Sequence, residues 1–299
     1  MNNSKMVKDD KLRKWPYSVI IGLVCFLVVS YVLYYYYVDH YDSFNDSFND
    51  SFNESNLKII SHPRYGKIQC FANKDLVCSE ILSGKVWEEG LFESGFKPFI
   101  EPDTVVIDCG SYIGSHTILF KKLDRNNLVL AFEMMPEHYA VLRKNIAMNE
   151  LSDTLAFNVA LGNELTDIPL PQVDYEEANT HKNYGGTQLT FKSNPVHTPM
   201  VTLDYMFPWT KNKKVSFIKI DVEGHEIPVL EGGLKMIAMY RPIIAIEIWV
   251  EQMETFQTSN IWSILSQALR YQIIQISPIH DYLLFPIEKE DFVKQQLKP

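Results

Sequence analysis

Val105-Val-Ile-Asp-Cys-Gly-Ser-Tyr-Ile-Gly-Ser-His-Thr117 is the stretch that decides the fold. The apolar run Val105–Ile107 ends in Asp108, a turn carries Gly110 and Gly114, and Ile118, Leu119, Phe120 and Leu123 then repeat at helical spacing. Strand, glycine turn and helix start, in that order, are how a parallel α/β sheet holds a nucleotide-like ligand at its carboxyl edge. The spacing is Asp-x-Gly-x-x-x-Gly, not the Gly-x-Gly-x-x-Gly of dinucleotide binders. With no pyrophosphate to cradle, the glycines bring backbone close to a smaller ligand, and Asp108 is placed to bind a polar or cationic part of it.

Working outward, Leu128-Val-Leu-Ala-Phe-Glu133 reads as the next strand. Glu133 closes it where an acidic residue can take both hydroxyls of a ribose; the alternative is a solvated carboxylate at a strand end. Pro136 opens a helix running to about Asn149, with Tyr139, Leu142 and Ile146 as its apolar stripe. Thr104–Asp108, Leu128–Glu133, Thr154–Leu161, Val215–Val222 and Pro242–Trp249 form a strand series separated by helical patterns, including one from about His225 to Ala238. After a helical Asn260–Arg270, the runs Gln272–Ser277 and Tyr282–Pro286 are joined by a turn so short that they pair antiparallel. The alternation predicts a doubly wound, mainly parallel α/β sheet of seven strands with an antiparallel edge hairpin. Ahead of it, Lys67–Phe71 and Leu76–Leu82 read as a small antiparallel lid. Cys70 and Cys78 would then face each other across Asn73-Lys-Asp75, either bonded or as two thiols. Cys109 reads as a small buried hydrophobe.

The third block is Lys219-Ile-Asp-Val-Glu-Gly-His-Glu226, preceded by Thr202-Leu-Asp204 and followed by Arg241-Pro-Ile-Ile-Ala-Ile-Glu247. Together with the first two blocks it resembles the FkbM family of S-adenosylmethionine-dependent methyltransferases, over roughly residues 65–250. The resemblance implies a Rossmann-like class I methyltransferase fold, S-adenosylmethionine as cofactor, and methylation of hydroxyl oxygens on sugars or polyketide-like molecules. It places the cofactor against Asp108, Gly110, Ser111, Tyr112, Gly114, Thr117 and Glu133. Ser111-Tyr112 stands where the family usually has Ala-Asn. The long stretch between Leu161 and Met200 contains Asn183-Tyr-Gly185, which matches the family's Asn-x-Gly segment and implies an acceptor-facing wall at Asn183 and Gly185.

Methyl transfer from a sulfonium is an in-line displacement, so positioning supplies much of the effect, and an aliphatic hydroxyl benefits from a general base. Asp221 ends its strand at the sheet's carboxyl edge, with Glu223 and His225 on the loop that follows. These three form the candidate catalytic group, with Asp221 or His225 as the base. Glu226 suits a helix amino terminus. Glu247 ends the next strand at the same edge and is a candidate wall of the acceptor pocket. His181 and His197 fall in the long stretch, His197 as a solvated residue. No His/Cys cluster has zinc-ligand spacing, and no metal site is expected.

The 299-residue chain has a net charge of −9 and no basic stripe, which argues against a nucleic-acid partner. Residues 1–16 carry Lys5, Lys8, Lys11, Arg13 and Lys14; residues 17–38, Tyr17–Val38, carry no charge. That stretch is long enough to cross a hydrocarbon core of about 30 Å. No Lys or Arg follows until Lys58, so the pattern reads as a basic cytoplasmic tail and a single transmembrane signal anchor. It is longer than a cleavable signal and lacks a small-residue cleavage site. Residues 39–56 repeat Asp-Ser-Phe-Asn at Asp42, Asp46 and Asp50, a polar stalk that writes Asn-x-Ser acceptors at Asn45, Asn49 and Asn53. Residues 57–299 then form the catalytic domain, on the lumenal or extracellular side. The expectation is a membrane-anchored O-methyltransferase acting on a glycan, glycolipid or other small-molecule hydroxyl. Two alternatives stand beside it: a catalytically silent binding module of the same fold, and an RNA ribose methyltransferase suggested by Lys219 near Asp221.

Overall fold

The alternating strand and helix pattern closes into one seven-stranded sheet in the computed structural model, which describes residues 57–72, 75–171, 173, 184–187 and 196–298. The strands are Leu57–His62 (β1), Gly66–Phe71 (β2), Val105–Cys109 (β3), Leu128–Phe132 (β4), Thr154–Phe157 (β5) and Ala160–Leu161 (β6). Then come Thr166–Pro169 (β7), His197–Val201 (β8), Val215–Ile220 (β9), Ile243–Glu247 (β10), Tyr271–Gln275 (β11) and Asp281–Pro286 (β12). The main sheet runs β11-β12-β10-β9-β3-β4-β5. Its pairs from β10 through β5 are parallel, and β12 is antiparallel to both β10 and β11. A mostly parallel Rossmann-like sheet with an antiparallel strand near one edge is what the alternation predicts.

Strands β3, β4 and β9 are buried along their whole length, because helices cover both faces. Strand order reverses beside β3: the chain builds outward through β4 and β5, then returns to β9 and β10 on the other side. The connections from β3 and β9 therefore run to opposite sides of the sheet, and such sheets bind ligands at the carboxyl ends of strands at this point.

Three sequence expectations are corrected, and one open alternative is decided. Leu76–Leu82 is a helix, since Asp75 caps it by accepting the Cys78 amide at 2.8 Å, while β2 finds its antiparallel partner in β1 instead. Cys70 and Cys78 are both buried free thiols on a strand and a helix, and the Cys78 sulfur accepts the Phe71 amide. The run Thr154–Leu161 divides, because Asn158 donates to the carbonyls of Glu133 and Met134 at 2.9 and 3.0 Å. Beyond it, β6 joins β7 and β8 in a separate three-stranded sheet, so the long connection is partly ordered. The helical stretch from His225 is two helices, Glu226–Gly232 and Leu234–Tyr240, broken at Gly233. Cys109 is fully buried, and His197 is exposed on β8.

The hairpin of β1 and β2 docks on helix Pro136–Met148 through Asn145, which is fully buried. Asn145 accepts the Gln69 amide at 2.6 Å and donates to the carbonyls of Gln69 and Ile113 at 3.0 and 2.8 Å. Among the described residues no helix is long and apolar enough to cross a membrane. The stretch Tyr17–Val38, the Asp-Ser-Phe-Asn repeat with Asn45, Asn49 and Asn53, and His181 and Asn183 lie outside the described residues.

Candidate functional site

Two strand-end loops meet at the crevice with almost no room to spare. Gly110 has φ +78°, and a Cβ there would stand 1.8 Å from the carbonyl oxygen of Asp221. Only glycine lets the turn after β3 lie against the turn after β9. A cavity opens beside this contact. On one side it is lined by Gly110, Glu133 and Met135, on the other by Asp221, Glu223 and His225. Gly185 and Thr187 also line it, so this part of the predicted acceptor wall reaches the cavity. Asp75 anchors that wall by accepting the Tyr184 amide at 3.1 Å.

The rim at β3 and β4 is organised by hydrogen bonds to backbone. Glu133 accepts the amide of Tyr112 through Oε2 and that of Met135 through Oε1, both at 2.8 Å. Each carboxylate oxygen keeps a second lone pair, so Glu133 can still accept from a ligand's hydroxyls. Ser111 Oγ donates to the Asp108 carbonyl at 2.8 Å and accepts the Phe132 amide at 3.0 Å, tying the two strand ends together. Tyr112 sits in the left-handed region at φ 51°, which asparagine tolerates better than tyrosine. Its ring stacks on Phe71 and meets His138 edge-on, so the substitution recruits packing from the N-terminal hairpin. Ser111, Tyr112, Gly114 and Thr117 are not among the residues lining the cavity.

Asp108 also lies beneath the cavity rather than in its wall, because it is fully buried. Parallel register sets it opposite Lys219 on β9. Its Oδ2 accepts from the Thr117 hydroxyl, and its Oδ1 lies 3.8 Å from Lys219 Nζ with no hydrogen-bond partner among the described residues. Burial pushes the Asp108 carboxyl up, against the pull of Lys219 and Thr117. Lys219 Nζ donates to Asp221 Oδ2 at 2.9 Å. Burial alone would lower the Lys219 ammonium, but Asp221 and Asp108 outweigh it and hold it well above the ordinary lysine value.

The rim at β9, β10 and β12 is crowded with like charges. Ile246 pairs with Ile220, which brings Glu247 level with Asp221, and Glu247 itself pairs with Asp281. Glu223 (φ 54°) and Gly224 (φ +98°) turn the chain back tightly, and Glu226 holds that turn by accepting the Gly224 amide at 2.9 Å. One carboxylate oxygen from each of Asp221, Glu223 and Glu247 falls within 4.8 Å of the other two. Burial, with repulsion from Asp221, pushes Glu223 up to about 7 and Glu247 up to about 9. Glu247 is held by His280 Nε2 at 2.8 Å and receives the Trp249 indole N–H at 3.1 Å. Burial lowers the His225 imidazole.

Two further residues belong to this rim, Glu88 and Lys219, and the sequence marks Lys219 only as a basic residue near Asp221. Lys219 is legible as the residue two before Asp221, on the same face of its strand. Glu88 has no comparable signal: it comes from an irregular segment at φ 48° and faces His116 at 3.6 Å. Burial and repulsion from Asp221 raise its carboxyl to about 7.

Residues 108–273 match the Methyltransferase FkbM domain. "Methyltransferase 1" of Beauveria bassiana is 28% identical over 145 residues, which are 44% of this chain and 58% of that protein. The chain thus matches somewhat over half the length of that curated relative. Among solved structures, a methyltransferase FkbM from Methylobacillus flagellatus superposes with a TM-score of 0.45 at 20% identity, over 65% of this chain and 46% of that one. M. jannaschii TYW2 in complex with AdoMet gives a TM-score of 0.37 at 14% identity, over 79% and 89% of the two chains.

Proposed function

Because the chain belongs to the methyltransferase FkbM domain family, we propose that it moves a methyl group from S-adenosylmethionine to a hydroxyl oxygen of a sugar, glycan or glycolipid. The observation that carries this reading is the cavity at the β3/β9 crevice, with Glu133 on one wall and Asp221, Glu223 and His225 on the other. The residues present fit such a cofactor. Glu133 is fixed by two backbone amides and keeps lone pairs for ribose hydroxyls, and Gly110 gives close backbone approach. The bound cofactor supplies a sulfonium methyl, the electrophile of the reaction.

This chain's own residues do the rest. Asp108, Ser111 and Thr117 act from beneath, fixing the turn that carries Gly110 and Tyr112. Gly185 lies on the acceptor-facing wall, where Asp75 holds the neighbouring Tyr184 amide; the resemblance assigns Asn183, outside the described residues, the same role. Asp221 or His225 accepts the acceptor hydroxyl's proton, at Oδ1 or on the imidazole, as the oxygen attacks. Glu247 lies beside them and borders the acceptor. In the cell, Tyr17–Val38 anchors the enzyme in a membrane with residues 57–299 on the lumenal or outer side.

The test uses the full-length protein in detergent with isotope-labelled S-adenosylmethionine and a panel of glycans and glycolipids. Mass spectrometry then locates any transferred methyl. Label on a sugar oxygen is expected, and cofactor binding should weaken by about tenfold or more in Glu133→Gln, the loss of a charged acceptor. Label only on nitrogen or carbon would contradict the oxygen assignment, and absent cofactor binding would remove the enzymatic reading altogether. Protease protection of residues 57–299 in sealed membranes tests the placement.

A further inference from the structure

We infer that Phe71 is a positioning residue of the reaction: its ring, at the end of the N-terminal hairpin, holds both the cofactor-side turn and the acceptor-facing wall, so that ordering one orders the other. For the names of the two ligands, and for these alone, this rests on methyl transfer. Phe71 closes β2 and is almost completely buried. Tyr112, on the turn after β3, stacks on it with ring centroids 6.0 Å apart, and His138 meets it edge-on at 5.6 Å. Tyr184, beside Gly185 on the opposite wall, meets it edge-on at 5.7 Å.

Each of these partners belongs to one side of the cavity. Tyr112 gives its amide to Glu133 Oε2 at 2.8 Å, and His138, which lines the cavity, holds Nδ1 3.6 Å from Glu133 Oε1. Tyr184 gives its amide to Asp75 Oδ1 at 3.1 Å, and Gly185 and Thr187 next to it line the cavity. The turn also depends on its packing for its shape. Tyr112 stands at φ 51°, a left-handed conformation that a bulky residue adopts only when its surroundings impose it.

A polar path returns from the wall to the same residue. Asp75 is fully buried, and its Oδ2 accepts the Cys78 amide at 2.8 Å while Oδ1 holds Tyr184. Cys78 Sγ in turn accepts the Phe71 amide at 3.1 Å. Phe71 is thus fixed to Tyr184 through its ring and, by way of Cys78 and Asp75, through its backbone. Close-packed interiors transmit a displacement instead of absorbing it. A cofactor that fixes the Tyr112 turn fixes Phe71 and then Tyr184, and the acceptor meets a wall whose ordering cost is already met.

Hydrogen exchange of the full-length protein in detergent, read at the Tyr184 amide, tests this with neither ligand present. Tyr112→Ala should speed exchange there by about fivefold or more, and in a Phe71→Leu background the same change should add less than about twofold. Phe99→Leu removes a buried ring packed on Phe292 instead and should leave the Tyr184 amide as in the unaltered protein, which separates coupling from a general loss of stability. No change at Tyr184 in Tyr112→Ala, or an undiminished change once Phe71 is replaced, overturns the role. Circular dichroism reports folding; if Phe71→Leu does not fold, the reciprocal measurement decides, and Tyr184→Ala must then speed exchange at the Tyr112 amide by a comparable factor. S-adenosylhomocysteine added to the same samples keeps the two proposals apart. It should slow exchange at Tyr184 in the unaltered protein and not in Phe71→Leu. Failure to bind sinks methyl transfer alone, since the coupling is read in the unliganded protein, and binding that leaves Tyr184 unmoved sinks the coupling alone.

Discussion

The two rims of the cavity are built from the same kind of strand end and treat their carboxylates in opposite ways. At β3 and β4, Glu133 is held by the backbone amides of Tyr112 and Met135, and Asp108 is sealed below with Thr117. At β9 and β10, Asp221, Glu223 and Glu247 face one another, and burial and repulsion raise two of them far above ordinary carboxyls. At the first rim two backbone amides fix Glu133, which can present acceptors to neutral hydroxyls. At the second, Lys219 donates to Asp221, and His280 and Trp249 meet Glu247, so side chains rather than backbone hold the carboxylates in place. Crowding like charges there costs free energy that the backbone-held rim does not spend.

Among the described residues, Lys219 lies against carboxylates of both rims, so removing it should have the largest effect. It lies 2.9 Å from Asp221 and 3.8 Å from Asp108 and is almost completely buried. Lys219→Met leaves both carboxylates without their cation and should cost about 3–5 kcal/mol, the range for breaking one side of a buried pair. Chemical denaturation measures it. A loss under about 1 kcal/mol would mean that the rims do not depend on a shared charge. Gly110→Ala attacks the contact between the rims instead. The added Cβ would meet the Asp221 carbonyl at 1.8 Å in a left-handed turn, and backbone cannot step aside cheaply. A loss of roughly 3 kcal/mol is expected in the same unfolding measurement, with cofactor binding impaired.

Asn145→Ala separates the rims. Asn145 bridges Gln69 of the hairpin and Ile113 of the first rim's loop through three hydrogen bonds, all buried. Its removal leaves Gln69 and Ile113 groups unpaired and should cost about 2 kcal/mol. Because the contact touches the β3 and β4 side, S-adenosylmethionine binding should weaken with it, as calorimetric titration measures. Unchanged cofactor binding would show that the hairpin does not support the first rim.

The rim at β3 and β4 is far more legible in the sequence than the rim at β9 and β10. The main-sheet strands announce themselves as unbroken apolar runs, since both faces are covered, and Asp108, Gly110 and Glu133 sit at fixed offsets from them. Asp221 and Glu247 are legible as strand ends for the same reason. Their convergence is not, because it depends on the register of β9, β10 and β12, which no local pattern encodes. The burial of Asp108 follows likewise from its cross-strand partner Lys219 rather than from its neighbours in sequence. Leu76–Leu82 is ambiguous in sequence because Asp75 serves equally well as a turn residue and a helix cap. Glu88 is not legible because an irregular segment carries no periodicity to locate it.

The far ends of the second rim's strands give the smallest test and the control. Arg241 precedes β10 and Glu288 follows β12, and the guanidinium pairs with the carboxylate through Nε and, at 2.7 Å, through its terminal nitrogen. The hydrogen bond from Arg241 holds Glu288 down at about 2, whereas at the other end of β10 Glu247 is pushed up. A depressed carboxyl contributes its stability above its unfolded value and loses it as pH falls through the folded value. Wild type should therefore be more stable than Glu288→Gln at pH 6, and the difference should shrink from about pH 4.5 and vanish toward pH 2. Both partners are substantially solvent-exposed, so the difference should stay below about 1 kcal/mol. Urea titrations of the two proteins across that range measure it. A difference that grew on acidification would reverse the sign assigned to this pair, and with it the contrast between the paired end of β10 and the crowded one.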